Sequence, residues 1–170
     1  GWYTLHASAG VGYLTLNETT AFQSGSVPFG PALPTTTTFG GYSANNNSGH
    51  TYLCYCWHSV EGYSSFGKYT GNGNADGPFI YTGFRPRFVI TKGLSVSGWN
   101  LRDSARSPHN TVNEVLQADT ASAELTTNYD VQFFSNGFKI LATAGDSNTS
   151  GNVYAYGAWC DVSFKYNNTF

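Results

Sequence analysis

The chain has 170 residues, of which 11% are charged and 16% aromatic, and a formal net charge of −2. A hydrophobic content of 40% supports a packed core and excludes a disordered chain. Without a basic run, nucleic acid is excluded as a partner, and no apolar stretch reaches the ~18 residues that mark a membrane helix.

In chain order the first expected strands cover residues 2–7 and 11–17. The next covers 50–60, followed by 79–81, 87–92 and 99–103. The last four cover 131–134, 137–141, 152–162 and 163–166. Each is a short alternating run bounded by Gly, Asn, Ser, Thr or Pro, which is the pattern of half-buried strands between turns. Only residues 113–125 admit a helical turn. Many short strands and no long amphipathic helix predict an all-β fold, an antiparallel β-sandwich.

The chain also repeats itself. Ser48-Gly49-His50-Thr51-Tyr52-Leu53-Cys54-Tyr55-Cys56-Trp57-His58-Ser59-Val60 aligns without gaps with Ser150-Gly151-Asn152-Val153-Tyr154-Ala155-Tyr156-Gly157-Ala158-Trp159-Cys160-Asp161-Val162. The matched markers are Gly49 with Gly151, Tyr52 with Tyr154, and Trp57 with Trp159. Gly1-Trp2 likewise echoes Gly98-Trp99. The sandwich is therefore expected to consist of two pseudo-repeated units. The first unit would be residues 1–61, lacking its opening strand. A connector would follow at 62–82, and the second unit would be 83–170. Trp57 and Trp159 are expected to be buried at equivalent places. The bare edge of the first unit is expected to be paired by the connector or by a neighbouring copy. The chain contains no methionine, so Gly1 is not an initiator and the sequence reads as processed or as an excerpt of a longer protein. No signal-peptide pattern is visible.

Cys54, Cys56 and Cys160 are odd in number, so they cannot all pair within the chain. On a strand, Cys54 and Cys56 would share a face in a poor geometry for bridging each other, with His58 beyond them. A bridge from Cys160 to either remains open if the faces meet. The expectation is buried free thiols, because Cys-x-Cys-x-His lacks the second pair of a zinc module.

Residues 63–92 read Tyr-Ser-Ser-Phe-Gly-Lys-Tyr-Thr-Gly-Asn-Gly-Asn-Ala-Asp-Gly-Pro-Phe-Ile-Tyr-Thr-Gly-Phe-Arg-Pro-Arg-Phe-Val-Ile-Thr-Lys. Further on stand Trp99, Asp103-Ser104-Ala105-Arg106, Ser135-Asn136-Gly137-Phe138 and the run from Ser150 to Trp159. This series resembles a repeat-containing β domain of large virion proteins, tail-fibre proteins among them, from tailed bacteriophages, especially marine ones. The resemblance covers nearly the whole chain. It departs locally at Leu5-His6-Ala7-Ser8, where the family often has Tyr-His-Lys, and at Thr91, where an apolar residue is common. The resemblance implies a structural protein of fibre or surface-appendage type, assembled in the bacterial host cytoplasm and displayed on the virion surface. Its implied partners are other virion proteins, further copies of itself as a homo-oligomer, and a host cell-surface glycan or protein. It implies no agreed ligand or chemistry. A capsid decoration protein and a carbohydrate-binding or carbohydrate-active domain are the alternatives.

The residues themselves assign no catalytic, cofactor-binding or metal-binding group. Asn72, Asn74 and Asp76 with Gly77 imitate the start of a calcium loop, but Asn stands at its first position and Gly83 where its last should be glutamate. A turn is expected there instead. No carboxylate spacing suggests a glycosidase pair, and no Gly-x-Ser-x-Gly elbow is present. Asp103 and Arg106 are expected to form a salt bridge. The many aromatics either fill the sandwich or stack on sugar rings, the former being expected for Trp57 and Trp159.

Overall fold

A computed structural model of the chain describes residues 1–25, 28–42, 44–143 and 145–161. The strand expected at 163–166 lies outside them. Among the described residues are eleven strands, and every ladder is antiparallel. They are β1 (Tyr3–Thr4), β2 (Gly12–Thr15), β3 (Gln23–Ser24), β4 (Ser64–Thr70), β5 (Phe79–Tyr81) and β6 (Phe88–Gly93). After them come β7 (Trp99–Asp103), β8 (Leu116–Gln117), β9 (Val131–Phe134), β10 (Gly137–Ile140) and β11 (Val153–Trp159).

The organising element is β11. Its residues alternate, so Tyr154, Tyr156 and Ala158 face one way and Ala155, Gly157 and Trp159 the other. It pairs on one side with β4 and on the other with β6, in a sheet ordered β4-β11-β6-β7-β8. A second sheet, β5-β10-β9, covers the tyrosine face. Phe133, Phe138 and Ile140 of that sheet meet Tyr69, Val89, Tyr154 and Tyr156 of the first in one buried cluster. Phe138 stands edge-on to Tyr156 with ring centres 5.5 Å apart. These two sheets are the sandwich that alternation in the sequence predicts.

A third sheet, β1-β2-β3, lies on the outer face of the five-stranded one. The two are joined by side chain to backbone bonds. The Trp99 indole donates to the Thr15 carbonyl at 2.9 Å, and Lys92 Nζ donates to the Thr19 carbonyl at 3.1 Å. His6 Nε2 donates to the carbonyl of Tyr156 at 2.9 Å. This layer covers Lys92, Ala155 and Trp99 and stops short of Trp159, which is half-buried.

Three expectations need correction. Residues 62–82 are not a connector, because they supply β4 beside β11 and β5 beside β10. The obstacle to reading β4 was Gly67, a residue that normally weakens a strand. A Cβ at Gly67 would lie 2.8 Å from the Tyr156 ring, so this glycine makes room for a tyrosine. Second, residues 51–59 form no strand, and described residues 28–59 contain no regular element, so 1–61 does not reproduce the unit at 83–170. Neither β4 nor β5 pairs with β1, whose partner in the chain is β2. Third, residues 113–125 hold β8 rather than a helical turn.

Candidate interaction surface

The outer face of the main sheet carries an aromatic group. Cross-strand neighbours share a face, so β4 brings Phe66, β6 brings Phe88 and β11 brings Trp159 to one place. Trp159 is edge-on to Phe66 at 5.1 Å and tilted against Phe88 at 5.5 Å. Gly157 permits this, since a Cβ there would meet both Phe66 and Trp159 at 2.9 Å. Trp57 approaches Trp159 edge-on at 6.2 Å, and Tyr55 stacks on Trp57 at 5.9 Å with planes 18° apart. Burial stops there: Trp57 is 63% exposed and Tyr55 60%.

Trp57 and Tyr55 belong to an arm. Residues 46–59 are exposed throughout, including Tyr52, Leu53, Tyr55 and Trp57. No backbone group of residues 51–57 bonds to another backbone group among the described residues. The arm is tethered at its end, where Ser64 Oγ donates to the His58 carbonyl at 2.8 Å and Ser59 Oγ accepts from the Phe66 amide at 3.0 Å. Residues 31–42 are exposed as well, with Leu33, Phe39 and Tyr42 among them.

The repeat markers part company here. Gly49 and Gly151 both adopt left-handed conformations, with φ of 79° and 78°. In each case the following amide, of His50 or Asn152, bonds back to the carbonyl three residues earlier. Beyond the turn the copies diverge. Tyr154 is 1% exposed and Tyr52 46%, while Trp159 is half-buried and Trp57 exposed, against the expectation that both indoles would be buried alike. A turn needs only its own residues, whereas a strand needs partners, and β4 and β6 are occupied by β11. Cys54 and Cys56 are exposed for the same reason, contrary to expectation. Cys160 is buried, its thiol donating to the Gly62 carbonyl at 3.0 Å.

The calcium-like loop is a run of side chain to backbone turns. Asn72 Oδ1 accepts from the Asn74 amide at 3.0 Å, and Asn74 Oδ1 from the Asp76 amide at 2.8 Å. Asp76 pairs with Lys139, which holds its carboxyl below the usual range. Asn148, fully buried, plugs the loop from inside. Its Oδ1 accepts from the Asn72 amide, and the two hydrogens of its Nδ2 are shared among Asn72 Oδ1, the Asn74 carbonyl and the Ala142 carbonyl. Nothing in the sequence marks Asn148 as the partner of this loop.

Asp103 and Arg106 form an ion pair at 2.6 Å, joined by Glu124 on the other side of the guanidinium. Burial alone would raise the Asp103 pKa, but bonds from the Arg106 backbone and side chain and from the Ala105 amide outweigh it and hold it low. Arg102 and Lys92 gave no sequence signal. Both are fully buried in the main sheet. Arg102 donates to the Tyr129 carbonyl, Thr91 Oγ1 and Ser147 Oγ, and burial pushes its pKa down to about 10. Arg102 braces the sandwich, whereas Lys92 ties the third sheet to the outer face through the Thr19 carbonyl. The sequence places Phe88 on the strand expected at 87–92 but does not single it out.

Fold and surface together define an all-β sandwich protein with an exposed aromatic face and a structureless aromatic arm. The chain belongs to the family described as a domain of unknown function, DUF7483, whose model matches residues 1–162. No curated protein and no solved structure matches it.

Proposed function

We propose that the chain is a bacteriophage virion structural protein of fibre or surface-appendage type that works by assembly rather than by catalysis. The observation that carries this reading is the arm at residues 46–59. Exposed apolar area forfeits about 25 cal/mol for every Å² left in water, so a cluster of Tyr52, Leu53, Tyr55 and Trp57 marks a contact surface. The partner that fits is a second copy of the chain. The arm resembles β11 in sequence, and β11 pairs with β4. The other edge of β4 has no strand beside it among the described residues; at its start it is met by the Val60 bridge to Ser64 and by Ser59 Oγ on the Phe66 amide, and it runs on from there to Thr70. An arm added there would satisfy its own backbone and the β4 edge together, with alternate side chains giving specificity. The resemblance of residues 63–92 to phage virion proteins supports the same setting.

A capsid decoration role would use the same contact at another place on the particle. The glycan-binding alternative draws on a different observation, the parallel, exposed pair of Tyr55 and Trp57, which could stack on sugar rings. Light scattering on the purified chain, alone and with Tyr55→Pro, separates these readings. Assembly predicts an oligomer that falls to a folded monomer in the variant, whose melting temperature no longer depends on protein concentration. A monomer that binds sugars on a glycan array would overturn assembly in favour of glycan recognition.

A further inference from the structure

We propose that Cys54 and Cys56 are a thiol–disulfide exchange site, a dithiol that low-molecular-weight disulfides oxidise to an intramolecular bond. Both residues are exposed, and their sulfurs lie 3.6 Å apart. The sequence spacing argues against such a bond on a regular strand, but this segment is not a strand. No ladder fixes its backbone, so closing from contact to the ~2.05 Å of a disulfide meets no sheet resistance. Partial burial, and then the Cys56 thiol beside it, raise the Cys54 pKa, which lowers its thiolate fraction and slows attack by Cys54 without preventing it. Cys160 is a built-in contrast: buried, and with its thiol donating to a carbonyl.

The chemistry balances with a small disulfide as oxidant. One cysteine thiolate attacks a sulfur of the small disulfide. That S–S bond breaks, a mixed disulfide forms, and one small thiolate leaves. The second cysteine, as thiolate, attacks the protein-side sulfur and expels the other small thiolate. Two cysteine thiols are oxidised, one external disulfide is reduced, and the two protons given up by the cysteines end on the two leaving thiols. A bond across a single residue closes so short a loop that it gains little from chain entropy. It is therefore readily reduced, in the manner of reactive rather than structural disulfides. Tyr55 lies between the two cysteines, so closure re-aims the ring that stacks on Trp57. The proposal does not depend on the assembly reading.

The test treats the intact chain with excess oxidised glutathione, quenches with acid, alkylates under denaturing conditions and reads intact and peptide masses. In the parent, both Cys54 and Cys56 should escape alkylation, the mass should fall by two hydrogens before alkylation, and no glutathione should remain attached. Cys160 should be alkylated. Cys54→Ser and Cys56→Ser should each retain one glutathione on the remaining partner, because no second thiol is there to expel it. Cys160→Ser should behave as the parent. Retained glutathione in the parent, two alkylatable thiols at 54 and 56, or a bond from either to Cys160 would overturn the proposal.

Discussion

Asn148 shows how one side chain can take the place of an ion. An amide carries both donors and acceptors, so a single group closes a loop that a cation would close only by gathering oxygens. Here it reaches the backbone of Asn72 and Asn74 on one side and Ala142 on the other. Asn148→Ala removes all of these bonds and leaves the Ala142 carbonyl without this donor. The loss should be about 2–3 kcal/mol, since an unsatisfied buried group costs about 1–3 kcal/mol beyond the bond itself. Urea unfolding would show it as a lower midpoint at unchanged slope; an unchanged midpoint would mean that water replaces the amide. Arg102 belongs to the same class of residue. It keeps its charge at neutral pH although buried, because each bond it makes lies in a prepared place.

At the scale of elements, the strands written by alternation were legible and the ones written by partnership were not. Residues 79–81, 99–103 and 131–134 match β5, β7 and β9 end to end. In 99–103 and 131–133 apolar and polar residues alternate, while 79–81 is an apolar run bounded by Pro78 and Gly83. β4 was illegible because Gly67 and the glycines after it read as turns; only the position of Tyr156 explains Gly67, while Gly71 and Gly77 lie against the backbone of residues 148–149 and of Ile140. The arm misled in the opposite direction. Its residues carry the pattern of a core strand, and whether that pattern becomes a strand depends on two neighbours that the chain gives to β11. The aromatic face was half legible, because the repeat marks Trp57 and Trp159 but nothing local says that they would meet Phe66. The two tryptophans should therefore answer differently to truncation. Trp159→Ala removes the ring that joins Phe66 to Phe88 and should cost about 2–3 kcal/mol, below the cost of a fully buried aromatic. Trp57→Ala should fall within about 0.5 kcal/mol of the parent in the isolated chain. Equal losses in thermal melts would mean that the arm is packed rather than exposed.

The whole molecule is held as three layers, and the outer seam should respond to pH. His6 donates from Nε2 to the Tyr156 carbonyl, and its Nδ1 lies 2.8 Å from Ser8 Oγ, a hydroxyl able to donate to the neutral ring. Burial lowers its pKa, more than the bond to Tyr156 raises it. A folded pKa below the unfolded value of about 6.5 means that the unfolded chain binds the proton first as the pH falls. Stability from this group is therefore fully present above about pH 6.5 and is lost as the pH drops through the folded pKa. Melting temperatures taken at pH steps from about 8 to 5 should decline at the acid end, and His6→Gln should flatten that decline. A parent curve that is flat over this range would show the seam open to water. The order of the central sheet has another consequence, in time rather than space. β4 and β6 leave the ribosome early, and the strand that lies between them, β11, is made some sixty residues after β6. Until Trp159 has emerged, the growing protein lacks the strand that pairs with both β4 and β6, and the room that Gly67 leaves for Tyr156 has nothing local to fill it.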